Sequence, residues 1–449
     1  MDEAAERRSG ERQLGFWAAL ALVVGNVIGS GVYLIPAELA PYGWNAIFGW
    51  IVTVAGALCL AFVFSVLARA LPQAGGPYVY TRAAFGEGAG FAVAWSYWIS
   101  VWTANATIAL AAVSYLSLFW PAVATAAGLP SILAVGLVWT LTLVNCLSVR
   151  AAGRVQLVTV AIKIVPLVVA IAIGAALLVS GEAARTAPEL RASDITAGAI
   201  AATAALTLWA MIGFEAATVS AGKVRNPERN VPRATLIGTF AAGMIYLFAC
   251  SSVALLLPRD SAAANTAPFA AFADAFLGPG PALAVGLFAA VSALGALNGW
   301  VLVQGELPLA LARDGVFPRW FAATNRAGVA VRAQIVSSGL VTLLIAANSS
   351  RTMLGLFVFM ALLSTAVTLF TYLFCALAAL KLRRRGALPG GTALPTAALL
   401  GAAYALGTLW GAGREAALWS AALLASGVPV WLLMRRFGAP RAQRSSVGA

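Results

Sequence analysis

A chain of 449 residues that is 61% apolar and 10% charged, with a mean hydropathy of +0.89, falls outside the ordinary soluble classes and reads as an integral membrane protein. Its net charge of +13 would suit a nucleic-acid binder if the basic residues formed one patch, but they are spread between apolar stretches. The sequence holds no histidine, its four cysteines lack metal-ligand spacing, and neither a phosphate-binding glycine loop nor an HExxH motif occurs, so no enzyme, no metal site and no cofactor is expected.

Apolar stretches near the ~20 residues needed to cross a ~30 Å hydrocarbon core fall at 15–40, 44–71, 88–119, 127–147, 153–180, 195–222, 233–257, 280–312, 333–348, 353–380, 393–411 and 416–434. The expectation is an all-α membrane protein of about 12 transmembrane helices, without a cleavable signal peptide because the N-terminus is charged and mixed. Cys59, Cys146, Cys250 and Cys375 all fall within spans and read as small packing residues, with no disulfide expected.

The first span is interrupted by Gly25-Asn26-Val27-Ile28-Gly29-Ser30-Gly31. Lipid cannot hydrogen-bond exposed peptide groups, so non-helical backbone at membrane depth persists only where protein buries it or where it lines a polar cavity. A half-helix restarting near Ser30 would aim unpaired N–H groups and a positive dipole end at an anionic group such as a substrate carboxylate. The competing reading of these glycines is close helix packing through small residues.

The fifth span carries Lys163 about ten residues, or ~15 Å, inside its start. An ionisable residue at that depth is a functional candidate by default; the alternative is a lysine snorkelling to the interface. The sixth span holds Trp209-Ala210-Met211-Ile212-Gly213-Phe214-Glu215, a second interruption with a carboxylate in mid-membrane. Glu215 is therefore a candidate to take up and release a proton. One broken segment in each half of the chain is the pattern of an inverted-repeat transporter, and the echo of Ile28-Gly29 in Ile212-Gly213 fits spans one to five repeating as six to ten. Between Pro258 and Pro279, Phe269, Phe272 and Phe276 recur at helical spacing, as either a lid or a surface-lying connector. Glu38, Glu306 and Asp314 lie near span ends and read as interfacial or structural charges with a minor gating option.

Alternate loops differ sharply in charge. One set carries 23 of the 29 lysines and arginines, the other only Arg185, Arg191, Arg259, Arg351 and Arg414, and Lys163 lies within a span. That asymmetry predicts both termini on the cytoplasmic side.

Four motifs recur in order along nearly the whole chain: Gly25–Val32, Gly75-Gly76-Pro77-Tyr78-Val79-Tyr80, Gly213-Phe214-Glu215 with Asn226–Pro232, and Asn298-Gly299-Trp300 with Asp314–Pro318. They resemble the amino acid, polyamine and organocation transporter superfamily, and within it the arginine/agmatine antiporter branch. The resemblance implies a LeuT-like 5+5 inverted repeat with broken helices 1 and 6. A cytoplasmic tail 1–14, a core 15–380, two further helices within 381–434 and a cytoplasmic tail 435–449 follow from it. It also implies secondary exchange of cationic amino acids or amines by alternating access in a bacterial plasma membrane, with the lipid bilayer and a second copy of the chain as partners and no nucleic acid.

Carried onto this sequence, the resemblance places a substrate carboxylate at Asn26, Val27, Gly29, Ser30 and Gly31. The α-amino group falls near the carbonyls of Val27, Trp209 and Ile212. Tyr97, Val101, Asn105, Ile108, Trp209, Ile212, Trp300, Phe357 and Ser364 would surround the remainder. Trp300 would hold a cation over its ring, with Asn105 and Ser364 as hydrogen-bonding partners and Trp209 as a gate; otherwise these tryptophans are packing residues. Val101 and Ile108 depart from the arginine/agmatine pattern, which has sulfur-containing residues there, and leave sodium-independent transport of neutral amino acids as the alternative. Lys163 also departs from that branch but matches superfamily members whose ammonium stands where sodium-coupled relatives hold sodium. The resemblance therefore makes Lys163 and Glu215 the coupling residues.

Overall fold

The computed structural model describes residues 15–72, 75–147, 162–215, 218, 224–257, 265–326, 328–389 and 391–437. Regular structure among them is helical throughout. Eight helices are long and apolar enough to cross a membrane, and shorter apolar helices complete the other predicted spans. Each of the twelve apolar stretches contains helix among its described residues; residues 153–161 of the fifth and 216–217 and 219–222 of the sixth lie outside the described set.

The first span forms in pieces: α1 (Phe16–Val27), a 3-10 turn over Ser30–Tyr33, and the short α2 (Ile35–Leu39). There follow α3 (Asn45–Ala70), α4 (Pro77–Phe85), α5 (Glu87–Leu116), α6 (Leu129–Leu147) and α7 (Val165–Ser180). The second half runs through α8 (Ala197–Met211), α9 (Pro227–Leu256), α10 (Pro268–Leu277), α11 (Pro279–Arg313), α12 (Val331–Ala347) and α13 (Met353–Arg384). Last come α14 (Ala393–Gly411), α15 (Gly413–Ala425) and α16 (Gly427–Phe437).

Burial explains the arrangement. Almost every residue of α5 from Gly90 to Tyr115 is buried, because this helix is packed on by α11, α13, α6 and α12 at once. By contrast α14 to α16 show exposed apolar side chains such as Leu399, Trp410, Leu418 and Leu432. Helices buried all round are the ones that can carry polar residues inward, and α5 presents Ser96, Ser100, Thr103, Asn105 and Thr107.

The segment α10 is no loose surface connector. Phe269 and Phe272 are fully buried, the Phe269 ring meets Tyr33 edge-on at 5.7 Å, and the Ser114 hydroxyl donates to the Thr266 carbonyl just before the helix. It therefore caps the distal segment of the first span.

Candidate substrate site between the broken helices

Two interruptions meet. Gly213 follows the end of α8 with φ +113°, a left-handed conformation that suits a residue without Cβ. A Cβ there would also lie 3.2 Å from the carbonyl carbon and oxygen of Asn26, so the breaks of the first and sixth spans touch through backbone.

The carbonyls freed at the end of α1 are held individually. The last carbonyls of a helix lack intrahelical partners and form its negative end. Here the Lys163 ammonium donates to the Gly25 carbonyl at 3.2 Å, and the Tyr246 hydroxyl donates to the Val27 carbonyl at 2.7 Å. Lys163 is 1% exposed and makes no ion pair among the described residues. Its side chain runs inward to α1 rather than out to the interface. Pro166, lacking an N–H, cannot complete the helix over Ile162, which accounts for the turn at Lys163 and Ile164. The Lys163 carbonyl is then taken by the Tyr33 hydroxyl at 2.6 Å. One tyrosine thus ties the fifth span to the far half of the first, and the Tyr115 hydroxyl donates in turn to the Tyr33 carbonyl at 2.9 Å.

Glu215 lies four residues beyond α8 with no exposure. One carboxylate oxygen accepts from the Tyr372 hydroxyl at 2.8 Å and from the Gly213 N–H at 3.2 Å, while the other has no hydrogen-bond partner among the described residues. Tyr97 of α5 faces the same carboxyl group.

Trp209 closes over the restart of the first span. Its indole Nε1 lies 2.7 Å from the point where a Cβ on Gly31 would stand, and that nitrogen is buried without a partner among the described residues. Glycine is required at 31 by this close approach.

From Tyr97 the same face of α5 passes through Val101, Asn105 and Ile108 at spacings of four and three residues, all buried. The Asn105 amide nitrogen donates to Gln304 at 2.7 Å, and the Asn105 carbonyl oxygen is buried without a partner among the described residues. Gln304 continues the chain of amides, donating to Ser338 at 2.8 Å and to Gln334 at 3.3 Å. On α11, Ala296, Trp300 and Gln304 share one face at four-residue steps. Ala296 abuts Gly29 and Gln304 bonds Asn105, so half-buried Trp300 sits between the first-span break and α5. Ser364 donates to the Ser100 carbonyl at 3.1 Å, and Phe357 is fully buried on the preceding turns of α13. Ile212 is buried at the end of α8.

Sequence reasoning passed over Tyr33, Tyr246, Tyr372, Gln304 and Gln334. Gln304 carried a legible signal, since an amide in the middle of an apolar span needs a buried partner.

The arrangement brings two interrupted helices together with buried polar and aromatic side chains, the setting in which transporters with broken helices hold their substrates. Among known proteins, the chain is 36% identical over 324 residues to the cadaverine/lysine antiporter of Escherichia coli K12, covering 72% of this chain and 71% of that protein. It is 30% identical over 403 residues to a putative arginine/ornithine antiporter of Bacillus subtilis, covering 84% and 85%. It is 28% identical over 431 residues to the putrescine transporter PotE of Escherichia coli K12, covering 93% and 94%. The family model described as amino acid permease matches residues 14–434. With two broken helices at the centre and a match that spans nearly the whole chain, this protein belongs to the amino acid permease family of membrane transporters.

Proposed function

We propose that this transporter exchanges a basic amino acid for an amine by alternating access, without sodium. The observation that carries the cationic reading is a pair of buried oxygens without hydrogen-bond partners among the described residues, one on Glu215 and one on Asn105. A buried acceptor left unpaired costs ~1–3 kcal/mol, and the donors of an ammonium or guanidinium group would relieve that cost whereas an aliphatic side chain would not. The two residues stand near the two ends of one face of α5, Tyr97 beside Glu215 and Asn105 eight residues or ~12 Å further along. Trp300 lies between the first-span break and α5, where a cation over an indole gains ~0.5–2 kcal/mol. The names of the relatives, which carry cadaverine and lysine, arginine and ornithine, and putrescine, all basic amino acids or diamines, support the same reading.

In this proposal the N–H groups of Ser30 and Gly31 receive the carboxylate of the amino acid, and Trp209 covers it. The Lys163 ammonium, already bonded to the Gly25 carbonyl, occupies the place a coupling cation would take and makes sodium unnecessary. The arginine-rich loops place both termini in the cytoplasm, residues 15–380 form the transporting core, and the apolar face of α14 to α16 meets lipid or a second copy of the chain. Calorimetric titration of the purified protein with lysine, arginine, 1,5-diaminopentane and leucine tests the substrate assignment. Binding of the three cationic ligands and not of leucine is expected, and leucine binding as tight as lysine refutes it.

A further inference from the structure

A second cavity, of about 390 Å³, opens at the end of the bundle away from the arginine-rich loops, between α2, the start of α13 and the start of α15. Two carboxylates line it, Glu38 and Glu415, against a single cation, Arg351. The Arg351 guanidinium is engaged by groups other than Glu38. It pairs with Glu415, donates from Nε to Asn348 at 3.2 Å, and lies 4.3 Å from the centroid of the Phe359 ring. Glu38 has no ion pair or hydrogen bond among the described residues although it is half-buried, and Arg414, adjacent to Glu415 in the chain, does not line the cavity. The cavity thus holds one carboxyl group more than its single cation pairs, next to an aromatic face that a planar cation occupies.

We infer that this cavity is a docking site for the cationic group of an arriving substrate, with Glu38 as its anchor and Arg351 as a tethered cation that fills the Phe359 face while the site is empty. The inference rests on the proposed cationic specificity. Glu38 lies seven residues beyond Gly31, ~10–12 Å along the first span, about the length of one substrate molecule from the central site. A negative mouth with low-dielectric walls concentrates cations, and the ion pair of Arg351 with Glu415 keeps the second carboxylate from trapping them. The mouth therefore loads the central site without becoming a sink.

Accessibility of a cysteine in the cavity tests this. Leu354→Cys, and separately Val358→Cys, would be labelled with cationic and anionic methanethiosulfonates, subtracting the labelling of the parent chain. The cationic reagent should react about tenfold faster than the anionic one, and millimolar 1,5-diaminopentane should slow it about threefold. Both effects should vanish with Glu38→Gln and persist with Trp300→Leu, and Arg351→Gln should deepen the protection. Unchanged preference and protection in Glu38→Gln, absence of protection at both cysteines, or protection lost with Trp300→Leu instead would each overturn the inference. A protein that fails to bind basic ligands at the central site while keeping Glu38-dependent protection would refute the proposed function and leave the docking site standing.

Discussion

A methyl group on Gly31 should cost more than its size suggests. The Cβ of Gly31→Ala would stand 2.7, 2.9 and 3.1 Å from three atoms of the Trp209 indole, against the ~3.5–4.0 Å at which carbon atoms pack without repulsion. The indole must retreat by ~0.5–1 Å, and overpacking of that kind costs ~1–3 kcal/mol. Because the retreat opens the cover over the first-span N–H groups, the cost falls on the bound state. At ~1.4 kcal/mol per tenfold, carboxylate-bearing ligands should bind ~5- to 150-fold more weakly, and Gly31→Val should abolish binding altogether. Gly29→Ala supplies the internal control: its Cβ would meet nothing nearer than the Ala296 methyl at 3.7 Å, and its backbone is already extended. Calorimetry on the two purified variants, with elution volume and thermal stability as checks on folding, separates the cases. Wild-type affinity in Gly31→Ala, or equal losses in both variants, would refute the assignment of this segment as the covered carboxylate site.

Trp300→Leu should weaken a basic ligand far more than an aliphatic one, by ~2- to 30-fold for a cation–π energy of ~0.5–2 kcal/mol; equal losses in competition binding would make Trp300 a packing wall. Lys163→Ala removes the donor to the Gly25 carbonyl and should slow exchange without creating a sodium requirement, since no set of oxygen ligands replaces the ammonium; flux at the wild-type rate, or flux that needs sodium, contradicts this. Glu215→Gln keeps an acceptor for the Tyr372 hydroxyl and mimics the protonated acid. It should flatten the pH dependence of turnover more than it changes affinity, and a full wild-type pH profile would show Glu215 to be structural.

Local signals in the sequence located the two breaks. Three glycines in seven residues and a carboxylate after Gly213 are violations of apolar helix that only a protein-lined chamber excuses, and the spans around them follow from hydropathy. What the sequence could not display is which distant group satisfies each freed carbonyl. Tyr246 reaches the Val27 carbonyl across 219 positions and Tyr33 reaches the Lys163 carbonyl across 130, and nothing local to those tyrosines distinguishes them from packing aromatics. The contact of Trp209 with Gly31 belongs to the same class, because it depends on how two helices cross. Glu38 is a similar case: a charge near a span end reads as interfacial, and its place in a cavity depends on how α13 and α15 pack around it.

Counterflow in proteoliposomes tests the central claim most directly. Vesicles loaded with lysine, arginine, leucine or no amino acid would be challenged with labelled 1,5-diaminopentane in sodium-free buffer. The account predicts label accumulation driven by the internal basic amino acids alone, unaltered by added sodium. Accumulation driven by leucine, or uptake into vesicles that contain no exchange partner, would contradict it.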